Sequence, residues 1–325
     1  MLSYVVRRIV YSIPVLVASS FLIFTFVSIT GDPLGRLRAN PNITAEQIHS
    51  IEHAKNLDKP VVVRYGYWVR DAITKKFGTT LFGNRPIWPD LKRAASHTLE
   101  YLLTALILSI IIGIAIGAYS ALRQYSLFDY TATTLSFVGF ALPGFWLALM
   151  LQVIVVQIFL KWHVRVFYTS GLSSSTNAGH GLHFLIDRVQ HLALPVIVVS
   201  VLSIAGYSRF MRASMLETLS SDYVRTARAK GLVERRVIMK HAFRNALIPL
   251  ITVVAIEFGG LFAGIITIET IFTLDGMGFY FINALQSSDP YPVMAWLLVV
   301  ATTVVTFNLI ADILYGLADP RIRFD

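Results

Sequence analysis

Few side chains in this sequence are placed to do chemistry, and the most conspicuous is Glu257. It sits inside the apolar run ITVVAIEFGGLF. A charge at bilayer depth costs roughly 2.5–3.5 kcal/mol on insertion scales, so it must face a bundle interior or water. Two readings follow: a carboxylate lining a polar path between helices, or a protonated, hydrogen-bonded Glu that serves packing. Asn308 and Asp312 fall towards the end of the last apolar run. Asn308 joins Glu257 as a candidate for the path. Asp312 is near enough to the end of its run to be solvated or to pair with Arg321 or Arg323, a structural role. Glu269 is expected to pair with a residue of the loop outside its span. His163, His180, His183 and His191 suggest a metal site, but their spacing is irregular and no Cys or tight carboxylate cluster joins them. Solvated loop histidines are the expected reading. The chain has no cysteine, which excludes disulfides and thiolate chemistry. No Ser, His and Asp set argues for catalysis. No Gly-x-x-x-x-Gly-Lys-Ser/Thr run exists to cradle nucleotide phosphates. Neither a catalytic residue, a metal nor a cofactor is expected in this chain.

The elements that hold these residues are membrane spans. Of 325 residues, 55% are hydrophobic and only 14% charged, with mean hydropathy +0.63; soluble proteins are about 45–50% apolar. Six runs approach the ~20 residues that a bilayer core requires: residues 9–29, 101–122, 133–160, 192–210, 247–272 and 293–314. The fold class is therefore all-α membrane protein. The first run follows Arg7-Arg8 but is too long for a signal-peptide core, and no clear cleavage site follows, so it reads as a retained span. The net charge of +9 is concentrated between apolar runs, which points to a lipid bilayer and not to nucleic acid. Nine Lys and Arg lie in residues 209–244, against none in 273–292. Both termini and the 211–246 loop are accordingly expected on the cytoplasmic side. Basic residues in 31–100 count for little, because long loops cross regardless of charge.

Residues 31–100 read as a small helical cap on the outer side. Thr44 and Gln47 form a capping box, and Ile48, Ile51 and Leu57 follow at helical spacing. Tyr65, Val69, Ile73 and Phe77 repeat the pattern over 61–77. Two such helices cannot bury a core alone and should rest on the bundle mouth. The chain thus divides into 1–30, the cap 31–100, and a five-helix core 101–325. Gly113, Gly117 and Ala121 in the second span, and Gly260 and Gly264 in the fifth, form small-residue packing faces. Pro143-Gly144 should kink the third span.

The stretch 222–249, DYVRTARAKGLVERRVIMKHAFRNALIP, is basic, periodic and broken once by glycine. Asp222 is placed to cap a helix starting at Tyr223. Arg228 and Lys230 occupy its last turn, where cations suit the dipole, and Gly231 ends it. A helix of this length is marginal in water and must lean on its own chain or a partner. Ala227 and Ala229 keep it slim.

Tyr223-Val224-Arg225-Thr226-Ala227-Arg228-Ala229-Lys230-Gly231-Leu232, with His241, Arg244-Asn245-Ala246-Leu247 and Pro249, closely resembles the "EAA" loop of ABC-importer permeases. It is most similar to the oligopeptide, dipeptide and nickel branch. Arg225-Thr226-Ala227 holds the Glu-Ala-Ala places and Gly231 the closing glycine; the missing Glu is a departure that the peptide branch shares. The resemblance spans nearly the whole chain. It includes Gly31-Asp32-Pro33, Asn56-Leu57-Asp58-x-Pro60, His191-Leu192-Ala193-Leu194-Pro195, Arg209-x-x-Arg212-Ala213-Ser214-Met215-Leu216, Glu269-Thr270-Ile271-Phe272 and Asp319-Pro320-Arg321-Ile322-Arg323. Asn56 stands where Gly is commoner, and Leu274-Asp275 where Pro is usual.

The resemblance implies a type I importer permease in a bacterial cytoplasmic membrane, working by alternating access. It implies a second homologous permease subunit, two ATP-binding subunits that hold ATP and Mg, and an extracytoplasmic binding protein that delivers peptide. Residues 222–232 would then couple nucleotide state to the membrane domain, and Glu257 would meet the amino end of a peptide. Dipeptide and nickel permeases of the same branch are the near alternatives. An ion-coupled transporter would need ionisable residues in several spans or inverted repeats, and an intramembrane enzyme a paired nucleophile and base. Neither pattern is present.

Overall fold

Each apolar run has become a long helix, and the helices reach well beyond the runs that nucleate them. The computed structural model describes residues 2–30, 32–39, 42–174 and 181–318. In chain order the helices are α1 (Leu2–Thr30), α2 (Gly35–Arg38), α3 (Ala45–Ala54), α4 (Val61–Thr74), α5 (Ile87–Leu122), α6 (Leu127–Ala141), α7 (Gly144–Trp162), α8 (Leu182–Leu219), α9 (Asp222–Ala229) and α10 (Glu234–Arg236). A π-helical stretch, Val237–Phe243, then leads into α11 (Arg244–Leu261), α12 (Ile266–Phe272), α13 (Met277–Gln286) and α14 (Pro290–Ala318). Among the described residues there is no strand, only an isolated bridge between Thr79 and Pro86. Six helical stretches are long and apolar enough to cross a membrane.

The bundle is built on α5 and α8, which share its largest interface. Gly113 and Gly117 explain the closeness. A methyl group on Gly113 would lie 2.8 Å from Cβ of Tyr207, and one on Gly117 would lie 2.8 Å from Cβ of Met211. Small residues let two backbones approach where lipid offers no hydrophobic drive to pack helices. The core continues through Tyr101, Leu102 and Ala105 of α5, Val198 and Val199 of α8, and Phe258, Phe272 and Trp296 of the later helices. Large apolar side chains on α1 and α7, such as Ile13, Phe26, Val153 and Leu160, face outward, as lipid-facing surfaces do.

Three sequence expectations are corrected here. Pro143 does not kink a continuous span. It ends α6 at Ala141 and stands as the N-cap of α7, because proline lacks the N–H that a through-running helix needs. Gly260 and Gly264 do not form a packing pair. α11 stops at Leu261, Gly264 lies beyond it in a left-handed turn with φ +86°, and nothing approaches Gly260. Gly259 makes the close contact instead, against Val304 and Phe307 of α14. The fifth span therefore ends earlier than 247–272, and α12 is a separate helix.

The two expected helices form in the segment between the first two spans, but α4 stops at Thr74, before Phe77, and Ile73 points away from the bundle, exposed. Thr44 and Gln47 form the full capping box on α3. α4 buries Trp68 against Phe24 of α1 and Met294 of α14, with Tyr65 beside them. This packing fastens α4 to the bundle mouth; α3, which buries no residue, stays at the surface.

Candidate functional site

Helix α9 lies on the bundle end reached by the N-terminus of α1. Its eight residues turn one face inward, with Val224 and Ala227 buried, and leave Asp222, Tyr223, Arg225, Thr226, Arg228 and Ala229 exposed, as is the C-cap Lys230. The buried pair joins an apolar cluster with Met211 and Met215 of α8, Val237 and Ala242 of the π stretch, and Ala246 and Leu250 of α11. The helix too short to stand alone thus leans on three other segments of its own chain.

Both of its ends are defined. The N-cap is Ser221, one residue before the expected Asp222, and its hydroxyl donates backwards to the Thr218 carbonyl at 2.6 Å. Asp222 is the first helical residue, where its charge suits the dipole, and it accepts from Arg225 at 2.7 Å. At the other end the Gly231 N–H donates to the Arg228 carbonyl at 2.9 Å, and the Leu232 N–H to the Ala227 carbonyl at 3.4 Å. This is a Schellman closure. Gly231 holds φ +74°, with nothing near enough to meet a side chain. Conformation alone demands glycine there. Arg228 then reaches past the turn to Glu234 at 2.8 Å.

Beside this helix α6, α5 and α8 are pinned by an ion pair between a buried carboxylate and a partly exposed guanidinium. Arg212 donates to Asp129 through Nε at 2.6 Å and Nη2 at 2.8 Å, and the Ser120 hydroxyl also bonds Asp129. The Arg212 guanidinium, with the Ser120 hydroxyl, holds the Asp129 carboxyl well below the usual carboxylate range, against the opposing effect of burial.

The opposite end of the bundle is organised by Glu269. It is fully buried and accepts at Oε1 from Thr98 at 2.7 Å and Tyr101 at 2.8 Å. At Oε2 it accepts from the N–H groups of Gly278 at 2.7 Å and Phe279 at 3.1 Å. The carboxylate therefore sits on the first turn of α13, where helix N–H groups favour an anion. The expected loop partner is replaced by two α5 side chains and a helix end. Thr98 also accepts from the Met277 N–H at 2.8 Å. Close by, Asp289 accepts from Leu81 N–H at 2.6 Å and Tyr291 N–H at 3.0 Å. Burial pushes its carboxyl up, against the backbone donors that pull it down.

The two candidates for an inner path are not brought together. Glu257 is half-buried on α11, and the described group facing it is the Tyr207 hydroxyl of α8. Asn308 is exposed on another face of α14, in a groove of about 440 Å³ that Arg7, Arg8 and Asp312 also line. Asp312 pairs there with Arg8 at 3.0 Å; Arg321 and Arg323 lie outside the described residues. Of the histidines, His163 ends α7, His183 is exposed, and His191 is buried and stacked on Tyr168 at 3.9 Å. Buried His191 corrects the reading of it as a solvated loop residue. His180 lies outside the described residues. No three metal-ligating side chains gather among the described ones. Sequence reasoning missed the π stretch, and it did not connect Asp129 with Arg212. The only available hint of that pair was a charge of each sign flanking apolar helices.

Fold and site together define a multi-pass helical membrane protein that presents a short, capped basic helix at one end of its bundle. The comparison with known families makes this specific. Residues 113–324 match the family described as binding-protein-dependent transport system inner membrane component, and residues 1–87 match the N-terminal component of the same systems. The chain belongs to that family. It is 36% identical to the oligopeptide transport system permease protein AppB of Bacillus subtilis, with all of both chains covered. It is 35% identical to the dipeptide transport system permease protein DppB of Escherichia coli, with 99% of each covered. A third relative, the oligopeptide transport system permease protein OppB of Mycobacterium tuberculosis, is 34% identical with 99% of each covered.

Proposed function

We propose that this chain is a membrane-spanning permease subunit of an ATP-driven, binding-protein-dependent peptide importer in a bacterial cytoplasmic membrane. The observation that carries the reading is full-length likeness to peptide permeases combined with a rigidly capped α9 whose outer face is free of its own bundle. In this reading the termini and α9 are cytoplasmic, and the 31–100 segment lies outside, where a peptide-loaded binding protein docks. A second homologous permease completes the path. Two ATP-binding subunits hold ATP and Mg, hydrolyse the nucleotide, and receive residues 222–232 of this chain in a surface cleft.

The chemistry of α9 suits that task. A coupling element must transmit displacement, so it needs stiffness and a fixed seat. The Schellman closure supplies stiffness, and Val224 and Ala227 supply the seat on α8 and α11. Motion of α9 would move those helices directly and shift the bundle between outward-open and inward-open forms. Glu257 lies on α11, two turns beyond Leu250 of that seat, and would face the path. Asn308, on a groove towards α1, would border it only from the side.

The relatives include both oligopeptide and dipeptide permeases, so a dipeptide importer is the second reading. Reconstitution separates the possibilities. The chain, its partner permease and the ATP-binding subunits are placed in proteoliposomes, and the binding protein is supplied with labelled dipeptide, longer peptide or nickel. Uptake that needs ATP, binding protein and this chain supports the proposal, and the preferred cargo selects the branch. Uptake that persists without this chain, or that an ion gradient drives without ATP, overturns it.

A further inference from the structure

A second site is built where α4 meets the bundle mouth. A cavity of about 270 Å³ is enclosed between α4, the 54–57 turn, the end of α1 and the start of α14. Arg64, Trp68, Asp71 and Lys75 fall at i, i+4, i+7 and i+11 along α4, so one helix face lines it. Its charge is unbalanced. Four cations, Lys55, Arg64, Arg70 and Lys75, surround the single carboxylate of Asp71. Asp71 is taken by Arg70 at 3.3 Å and Lys75 at 3.3 Å, and Lys55 donates to the Asn84 side chain at 2.9 Å.

Arg64 is different. It is half-buried, and its guanidinium lies over the face of Phe24 at 5.9 Å; among the described residues it has no carboxylate within ion-pair distance. One turn on, Trp68 is 5% exposed and its indole N–H has no acceptor. A buried donor without an acceptor costs free energy, and the Trp68 N–H is one, in a basic cavity that the half-buried Arg64 also lines. The Tyr291 hydroxyl adds a third polar group within electrostatic reach of Arg64.

We propose that this cavity binds a phosphate group, and that the phosphate is the headgroup of a phospholipid. The guanidinium of Arg64 is suited to a bidentate hold on phosphate, and Trp68 can donate beside it. Position favours the lipid source. Phe24 and Ser28 belong to the last turns of α1 and Pro290, Tyr291 and Met294 to the first turn of α14, so the cavity lies at the level where both spans leave the apolar layer. The volume suits a phosphate and its glycerol linkage. A lipid held there ties the 31–86 segment to the membrane surface. This inference does not depend on the transported cargo.

The test uses the purified complex. Its melting temperature is read with and without millimolar inorganic phosphate at constant ionic strength. It is read again in nanodiscs of phosphatidylcholine alone and with phosphatidylglycerol, while native mass spectrometry reads retained phospholipid. Wild-type protein is expected to gain several degrees with phosphate and to retain lipid. Arg64→Gln should weaken the apparent phosphate affinity at least tenfold and lose the lipid. Trp68→Phe keeps an aromatic ring but removes the N–H with the five-membered half of the indole; it should reduce the same responses, and its melting temperature without phosphate reports what the lost packing costs. Responses to free phosphate but not to lipid keep the phosphate site and overturn the lipid source. If wild type shows no response, or if both variants respond as wild type does, the site is overturned.

Discussion

The two ends of this bundle are fastened by different physics. At the end that holds Glu269, the fastenings are buried, directional hydrogen bonds between distant parts of the chain. Glu269 reaches Thr98 across 171 residues of sequence, and Asp289 reaches Leu81 across 208. At the other end, α9 makes its side-chain polar contacts only within a few residues, from Asp222 to Arg225 and from Arg228 to Glu234. What holds it to the bundle is apolar contact through Val224 and Ala227. Apolar attraction is non-directional, so this seat keeps α9 against its neighbours without fixing their angle, whereas a fourfold hydrogen-bonded carboxylate fixes both. The Glu269 end is therefore rigid, and at the other end α9 is the part able to tilt, beside helices that the Asp129–Arg212 pair holds together.

Substitutions can break this contrast, and the largest effect is expected at Glu269. Glu269→Ala strands four donors, three of them buried and each worth about 1–3 kcal/mol when left unpaired. The complex should lose much of its abundance and melt far lower in detergent. A melting point within a degree of wild type would contradict the locked-end reading.

Asp129→Ala comes next, because it leaves the Arg212 charge facing an emptied pocket. The expected loss is about 3 kcal/mol, the low end for breaking a buried pair, measured by denaturation of the complex. The same pair gives a pH dependence. Its folded carboxyl titrates below the unfolded one, so its contribution is complete above the ordinary carboxylate range and disappears as pH falls through the depressed value. Wild type should lose this stability on acidification, while the variant should show a flatter profile over the same window.

Gly231→Val forces a β-branched residue to φ +74°, a strain of about 1–2 kcal/mol confined to the end of α9. The complex should assemble, hydrolyse ATP and fail to transport. If assembly collapses as it does for Glu269→Ala, the α9 end is locked after all. If uptake is normal, α9 is no coupling element. Smallest is Arg228→Ala, which removes an exposed ion pair worth at most about 1 kcal/mol. Melting should barely change, and any loss of uptake would then report contact with the ATP-binding subunits.

Much of this architecture is legible in sequence because membranes simplify the problem. Apolar length marked six spans, and the glycine spacing at Gly113 and Gly117 identified the face that α5 turns to α8. The Thr44 capping box and Gly231 closure are local motifs, and both appear where their residues stand. What could not be read is non-local. Glu269 reads as the partner of a loop residue, since nothing in one dimension places Thr98, Tyr101 and the first turn of α13 around it. Gly260 and Gly264 satisfied a packing pattern, but helix termination at Leu261 removed the second from the helix. Glu257 and Asn308 shared an apparent depth and not a face, because depth is a matter of counting and facing depends on how α1, α11 and α14 pack.

The π stretch at Val237–Phe243 has a consequence for how this family of chains can vary. A π turn carries more residues than an α turn spanning the same rise, so it is a stored insertion. Removing one residue there lets the segment relax to an ordinary α-helix, with Val237 on one side and Leu250 on the other keeping their seats under α9. The same deletion anywhere later in α11 would rotate every following side chain by about 100° and carry Glu257 and Gly259 off their faces. Length variation in this helix is therefore tolerable at one place only, beside the mobile end.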